Sequence, residues 1–219
     1  MVRKNRLPKF PEDYLKDKAE EYDSSRWMER NQKRSTLNSL QYLIDEKLND
    51  REDGVIEMGV SPLILDLGCG SGFSSEILIE NGFRVIGIDI LEDMLSKAGE
   101  KKNNFKDYKA LELVLADINY LPIKPNSVDH IISISSYNFI IHGMENYGEK
   151  VKLTYDTAKY LHKILKEKGR VIIEFYPKDD KELKMFNKSF INNGFSGFMV
   201  KQNPKQKSGQ TYLLLKKKS

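Results

Sequence analysis

Strand-like and helix-like segments alternate along this chain, which predicts an α/β protein built on a seven-stranded, mostly parallel sheet covered by helices, ending in an antiparallel hairpin. Three observations carry that expectation. Short apolar runs recur with helical patterns between them. The first run leads straight into a glycine-rich turn. The last two runs are joined by a link too short to cross over a sheet, so they should pair antiparallel.

The first five strands are expected near Leu63 to Leu67, Arg84 to Asp89, Glu112 to Ala116, Val128 to Ser135 and Arg170 to Tyr176. Helical patterns fall at Arg30 to Asn49, Phe73 to Glu80, Glu92 to Lys101, Thr154 to Lys166 and Lys181 to Asn193. Gly169 stands just before the fifth strand, where it should cap the end of the preceding helix. The hairpin is expected from Phe195 to Lys201 and Thr211 to Lys216, around the turn-rich Asn203-Pro204-Lys205-Gln206-Lys207-Ser208-Gly209. No internal repeat is present. Residues 1–30 carry charged and aromatic side chains without a period and are expected to form an arm appended to one domain, 31–219.

At 219 residues the chain can bury a sizeable core, and no apolar run approaches the roughly 18 residues of a membrane span. A single cysteine excludes an intrachain disulfide, so a reducing compartment is expected: the cytoplasm, or the nucleus of a eukaryotic cell. No His, Asp or Glu grouping has metal-ligand spacing, and no metal is expected. The net charge of +4 is modest, but Arg3, Lys4, Arg6 and Lys9 cluster at the start and Lys201, Lys205, Lys207, Lys216, Lys217 and Lys218 at the end. Such ends are either solvated or in contact with phosphate.

The turn reads Asp66-Leu67-Gly68-Cys69-Gly70-Ser71-Gly72, and a second apolar run ends about twenty residues later in Asp89. Glycine is required where backbone adopts positive φ or approaches a ligand closely. A dinucleotide fingerprint would place its third glycine where Phe73 stands, so that pattern fails. An acid two residues before the glycines would repel a pyrophosphate but can face an ammonium. The combination indicates S-adenosylmethionine (SAM), with Asp66 beside its amino-acid end, Gly68, Cys69, Gly70 and Gly72 shaping the turn, and Asp89 accepting from the ribose hydroxyls. By position at strand ends, Ile90 should lie against the adenine, Asp117 and Ile118 should bound its edge, and Ser133 and Ser135 should approach the methionine. Asp117 reads equally as a turn cap. Tyr22 and Arg26 either close over the cofactor or sit on an exposed helix face.

The strand Asp129-His130-Ile131-Ile132-Ser133-Ile134-Ser135-Ser136-Tyr137-Asn138-Phe139-Ile140, the Phe175-Tyr176-Pro177 run and Gly194-Phe195-Ser196-Gly197-Phe198 resemble the small-subunit ribosomal-RNA guanine-N7 methyltransferases of eukaryotes and archaea. These are Rossmann-like class I enzymes that use SAM. Asn138 and Phe139 depart from the family's Gln and Trp. On that reading Tyr137 and Phe139 stack a splayed guanine and Asn138 binds its edge, with a place in the core as the alternative for either ring. The resemblance also implies a small zinc-ribbon activator protein, which would add a strand to the sheet edge at Glu112 to Ala116; the alternative is that the flanking loop, Lys101 to Lys109, folds over that edge. The alternatives are a small-molecule methyltransferase acting on a quinone-type acceptor, and a ribosome-assembly factor bound to the small-subunit precursor whose activity is secondary.

Overall fold

A computed structural model describes residues 9–44, 61–105, 107–202 and 210–218. Its seven strands are β1 (Leu63–Leu67), β2 (Arg84–Asp89), β3 (Leu111–Leu115), β4 (Val128–Ile134), β5 (Leu165–Glu174), β6 (Phe195–Lys201) and β7 (Thr211–Lys217). The helices are α1 (Asp17–Asp23), α2 (Arg26–Leu43), α3 (Phe73–Glu80), α4 (Glu92–Lys102), α5 (Tyr147–Ile164) and α6 (Asp180–Ile191). The strands form one sheet in the order β3-β2-β1-β4-β5-β7-β6, and β7 alone runs antiparallel to its neighbours. That is the expected architecture. No described helix is long and apolar enough to cross a membrane.

Alternation along each central strand divides the core in two. Leu65, Leu67, Ile131, Val171 and Ile173 face α5 and α6, where Leu161, Ile164, Phe186 and Phe190 close the layer. Ile64, Val85, Ile132, Ile172 and Leu214 face the other way, onto Leu43 of α2 and Leu78 of α3. The strand order reverses direction between β1 and β4. A crevice therefore opens at the carboxyl ends of these strands, where α/β sheets bind ligands.

Three boundaries differ from expectation for identifiable reasons. Helix α5 begins at Tyr147, seven residues before Thr154, because the Asn146 side chain accepts from the Gly148 and Glu149 N–H groups at 2.8 and 3.2 Å. Asn146 with Glu149 three positions on is a cap signal. Helix α2 begins at Arg26, capped by Ser25, so residue 30 falls inside it; the expected span Asp45 to Asn49 lies outside the described residues. Gly169 does not cap a helix. Helix α5 ends at Ile164 and Gly169 lies within β5, whose pairing with β4 jumps from Val128↔Leu165 to His130↔Arg170. The skipped residues bulge outward, and Gly169 folds back so closely on Leu165 that a Cβ would sit 2.4 Å from its side chain.

The C-terminal lysine that β7 buries is structural. The Nζ of Lys217 is buried, donating to the Leu165 carbonyl at 3.1 Å and pairing with Glu167 at 2.8 Å, at the amino end of the parallel strands and away from the crevice. It is not a phosphate contact. Arg3, Lys4, Arg6, Lys205 and Lys207 lie outside the described residues.

Candidate active site

The glycine turn hooks over the end of β2: the Gly68 and Cys69 N–H groups both donate to the Ile88 carbonyl, at 2.8 and 2.9 Å. Gly68 has φ +70°, and a Cβ there would lie 2.3 Å from Ser136 Oγ, so two independent constraints require glycine. Cys69 is buried, its thiol pushed well up by burial, and its Sγ packs where a Cβ on Gly87 would be. It fills space and is not a nucleophile. Gly72, at φ +85°, starts α3 against Ala98 of α4.

Asp89 carries the turn from the other side. Its Oδ2 accepts from the Gly70 N–H at 2.8 Å and its Oδ1 from the Leu91 N–H at 2.9 Å. Burial nonetheless holds its carboxyl above the ordinary range. Each oxygen retains a lone pair for a ribose hydroxyl. The Asp66 carboxylate is fully buried: Oδ2 accepts from the Ser74 and Ser75 hydroxyls at 2.7 Å each, while Oδ1 has no partner. Burial pushes it up to about 6. An unpartnered carboxylate oxygen beneath the turn is an acceptor left for an ammonium, directly or through water.

Ile90, just past β2, is 51% exposed and free to cover an aromatic base. Asp117 caps a turn through Oδ1, which accepts from the Asn119 N–H at 2.8 Å, and Ile118 packs partly against the core. The other Asp117 oxygen takes no hydrogen bond among the described residues. Ser133 does not line the crevice: it is buried, and its hydroxyl donates to the Leu67 carbonyl at 2.9 Å, tying β4 to the end of β1.

At the ends of β4 and β5 the structure separates the three residues expected to receive the base. Tyr137 is buried in the core between Phe186 and Phe190, and its hydroxyl has no partner. It cannot stack a substrate; in the short 3-10 helix here (Tyr137–Ile141) Tyr137 and Ile141 turn into the core, while Asn138 and Phe139 stay at the rim. Asn138 clamps the backbone of Tyr176, donating to its carbonyl at 2.7 Å and accepting from its N–H at 3.1 Å, with one amide N–H left over. Phe139 is half-buried, with one face stacked on Phe10 at 4.6 Å.

Phe10 belongs to the arm, which crosses the crevice. Tyr14 lies between Phe139 and Tyr22, and Tyr22 stacks on Phe73 at the start of α3. The crossing is pinned by three contacts to α4: the Lys16 N–H to Asp93 at 2.8 Å, Glu20 to Lys97 at 2.6 Å, and Asp23 to Lys101. Burial, aided by the charge of Asp89, raises both tyrosine hydroxyls, Tyr14 to about 12. They stay neutral above the site. Arg26 is exposed at the start of α2.

One buried acid is not signalled by any motif. Glu174, at the end of β5, accepts from Ser35 and Tyr176 at 3.0 Å and from Ser135 and Gln210 at 2.6 Å. Ser135 makes its bond from φ +57°. Burial raises the Glu174 carboxyl as well. A lone glutamate inside an apolar strand was the available signal. Asp66, Asp89 and Glu174 are all held by neutral donors, with no cation paired to them among the described residues, an arrangement that suits a cationic ligand such as a sulfonium. The residues present fit SAM.

A methyltransferase-domain family model matches residues 65–173, which contain the glycine turn, Asp89, Asn138 and Phe139. Solved structures agree in fold: geranyl diphosphate C-methyltransferase from Streptomyces coelicolor, bound to S-adenosyl-L-homocysteine, superposes with a TM-score of 0.62 at 10% identity, over 89% of this chain and 82% of its own. A methyltransferase in complex with the Haloferax volcanii Trm112 activator also scores 0.62 at 14% identity, over 94% of this chain and all of its own. Fold and motif together define a class I SAM-dependent methyltransferase domain. Within that class the chain is a homologue of the 18S rRNA guanine-N7 methyltransferases. It is 29% identical over 173 residues to bud23 of Schizosaccharomyces pombe, covering 78% of this chain and 63% of that protein. It is 30% identical over 166 residues to the Saccharomyces cerevisiae enzyme, covering 75% and 58%. The chain thus spans less than two thirds of the length of these relatives.

Proposed function

We propose that this protein transfers a methyl group from SAM to N7 of a guanosine in small-subunit ribosomal RNA. The observation that carries this reading is homology to guanine-N7 methyltransferases over about three quarters of the chain. The chemistry of the site supports it. Guanine N7 has a free lone pair, so no proton has to be removed before attack. The rim at β4 and β5 offers amide and aromatic groups, and the buried acid there, Glu174, is engaged by four neutral donors.

When bound, SAM supplies an electrophilic methyl group on a positive sulfonium. The chain's own residues then have positioning roles. Asp89 holds the ribose, Ile90, Asp117 and Ile118 bound the adenine, and the free oxygen of Asp66 receives the ammonium. Asn138, fixed by Tyr176, turns its remaining N–H to the guanine edge, and the free face of Phe139 packs on the base. The arm, through Tyr14 and Tyr22, excludes water. Alignment alone can lower the barrier by several kcal/mol. Incubating the protein with radiolabelled SAM and small-subunit rRNA should place label in 7-methylguanosine; label only in small acceptors would overturn the assignment. The small-molecule reading has weaker support, since the malonyl-[acyl-carrier protein] O-methyltransferase match covers 66 residues.

The same reading includes a zinc-ribbon activator at the β3 edge, supported by the Trm112-bound neighbour and by Leu115, which is 56% exposed on that edge. The Ala116 N–H donates inward to Asp89, and strand alternation turns the Val114 N–H inward too. Leu113 and Leu115 therefore present the outward donors. Co-expression with an activator should raise solubility and activity, and Leu115→Pro should abolish co-purification while SAM binding persists. A fully active chain that gains nothing from the activator would refute this.

A further inference from the structure

A groove of about 550 Å³ runs between α5 and α6. On its α5 wall stand Tyr147, Val151 and Tyr155, spaced four residues apart on one stripe and each about two-fifths exposed. Opposite them α6 presents Lys181, Lys184 and Lys188. Lys181 lies over the Tyr147 ring with its Nζ 3.9 Å from the centroid. None of the three lysines has a carboxylate partner among the described residues, and Asp180 is the acid in the groove lining.

The placement of this groove follows from topology. Helix α5 follows the 3-10 turn at the end of β4, and α6 follows the Phe175-Tyr176-Pro177 run at the end of β5. Both helices start at the rim that holds Asn138 and Phe139 and run down the outside of the sheet. The groove thus begins beside the candidate active site and leads away from it. From Tyr147 to Tyr155 the helix rises about 12 Å, between three and four stacking steps of about 3.4 Å each.

Unpaired cations facing exposed aromatic rings in a groove have the chemistry that holds single-stranded nucleic acid: ammonium groups contact phosphates, and rings accept bases whatever their identity. We propose that the α5–α6 groove binds the single-stranded RNA flanking the methylated guanosine, with phosphates on Lys184 and Lys188 and bases on Tyr147 and Tyr155. The proposal rests on the RNA reading for its biological purpose. Its test does not depend on methyl transfer.

The test uses the full chain and a short, unstructured, fluorescently labelled RNA whose binding is followed by anisotropy over a range of salt. Combining Lys184→Glu with Lys188→Glu should weaken binding at least tenfold and flatten the log–log salt dependence by about 0.7 for each phosphate that the variant no longer neutralises. Tyr155→Ala should weaken binding roughly tenfold with the salt slope unchanged. SAM affinity, measured on the same variants, should match the parent and so certify the fold. Unchanged RNA affinity in the double variant overturns the proposal, as it would if an acidic protein surface were the true occupant; a parent chain that binds no RNA overturns it too. If the parent binds RNA through this groove but methylates only small acceptors, the groove stands and the substrate assignment falls. If it methylates rRNA while the double variant binds RNA normally, the groove falls alone.

Discussion

Between β1 and β2 the rim of the sheet is made of backbone: Gly68, Cys69 and Gly70 present N–H groups to Ile88 and Asp89 within one short stretch of chain. Between β4 and β5 it is made of side chains. Asn138 reaches Tyr176, and Glu174 gathers Ser35, Ser135 and Gln210 from three other elements. The first half has one workable sequence pattern, because only glycine tolerates its conformation. The second can be built in many ways, which makes it the natural place for substrate choice to vary on a fixed cofactor platform.

Substitutions can break or sharpen that contrast. The largest effect is expected at Tyr137, which belongs to neither half of the binding surface. Tyr137→Ala should cost about 3–5 kcal/mol in denaturant unfolding, as loss of a buried aromatic does. Tyr137→Phe should cost less than about 1 kcal/mol, since the hydroxyl is buried without a partner. Equal losses in the two variants would show that the hydroxyl has a role in the fold.

Asp66 tests the electrostatics of the cofactor half. Its carboxyl is raised to about 6, so the fold favours the protonated form. The stability this contributes is present in full below the unfolded-state value near 4 and is lost as pH rises through about 6. Between about pH 3 and 7 the parent should lose about 3 kcal/mol relative to Asp66→Asn, read from urea unfolding at each pH. Parallel pH profiles would mean that Asp66 is charged throughout and already paired.

A smaller loss is expected for Asp89→Ala, which should weaken SAM binding by about 1–3 kcal/mol in calorimetry by removing a charged acceptor. Unaltered affinity in a folded variant would remove Asp89 from the cofactor site. Smallest in binding terms, and most informative about the contrast, is Asn138→Ala. Turnover on RNA should fall about tenfold, the equivalent of roughly 1.4 kcal/mol of transition-state stabilisation, while SAM affinity stays within twofold. Loss of SAM affinity instead would merge the two halves into one cooperative unit.

The same contrast explains what could be read from the sequence. Strands β1, β2 and β6 and helix α3 begin and end where local pattern puts them, because apolar alternation and the glycine turn act within a few residues. The cofactor acids are legible for the same reason. The fate of Tyr137 is not, since the difference between a stacking platform and a core ring lies in Phe186 and Phe190, about fifty residues away. Glu174 looks like an interruption in an apolar strand; its meaning depends on Ser35, in a helix 139 residues earlier in the chain. Gly169 misleads because a glycine after a helical run has two uses, a helix cap and a close approach between strand residues, and only the β4–β5 register decides which.

The single antiparallel strand has a practical corollary. Because β7 runs against β5, Tyr212 lies level with Glu174 at the rim and Lys216 level with Arg170 at the opposite edge. Phe10, by contrast, stacks directly on Phe139 at the mouth of the crevice. An affinity tag, fluorophore or surface tether joined after Lys218 would therefore leave the molecule on its blind side, whereas one placed just before Lys9 would hang over the opening through which a cofactor must be exchanged.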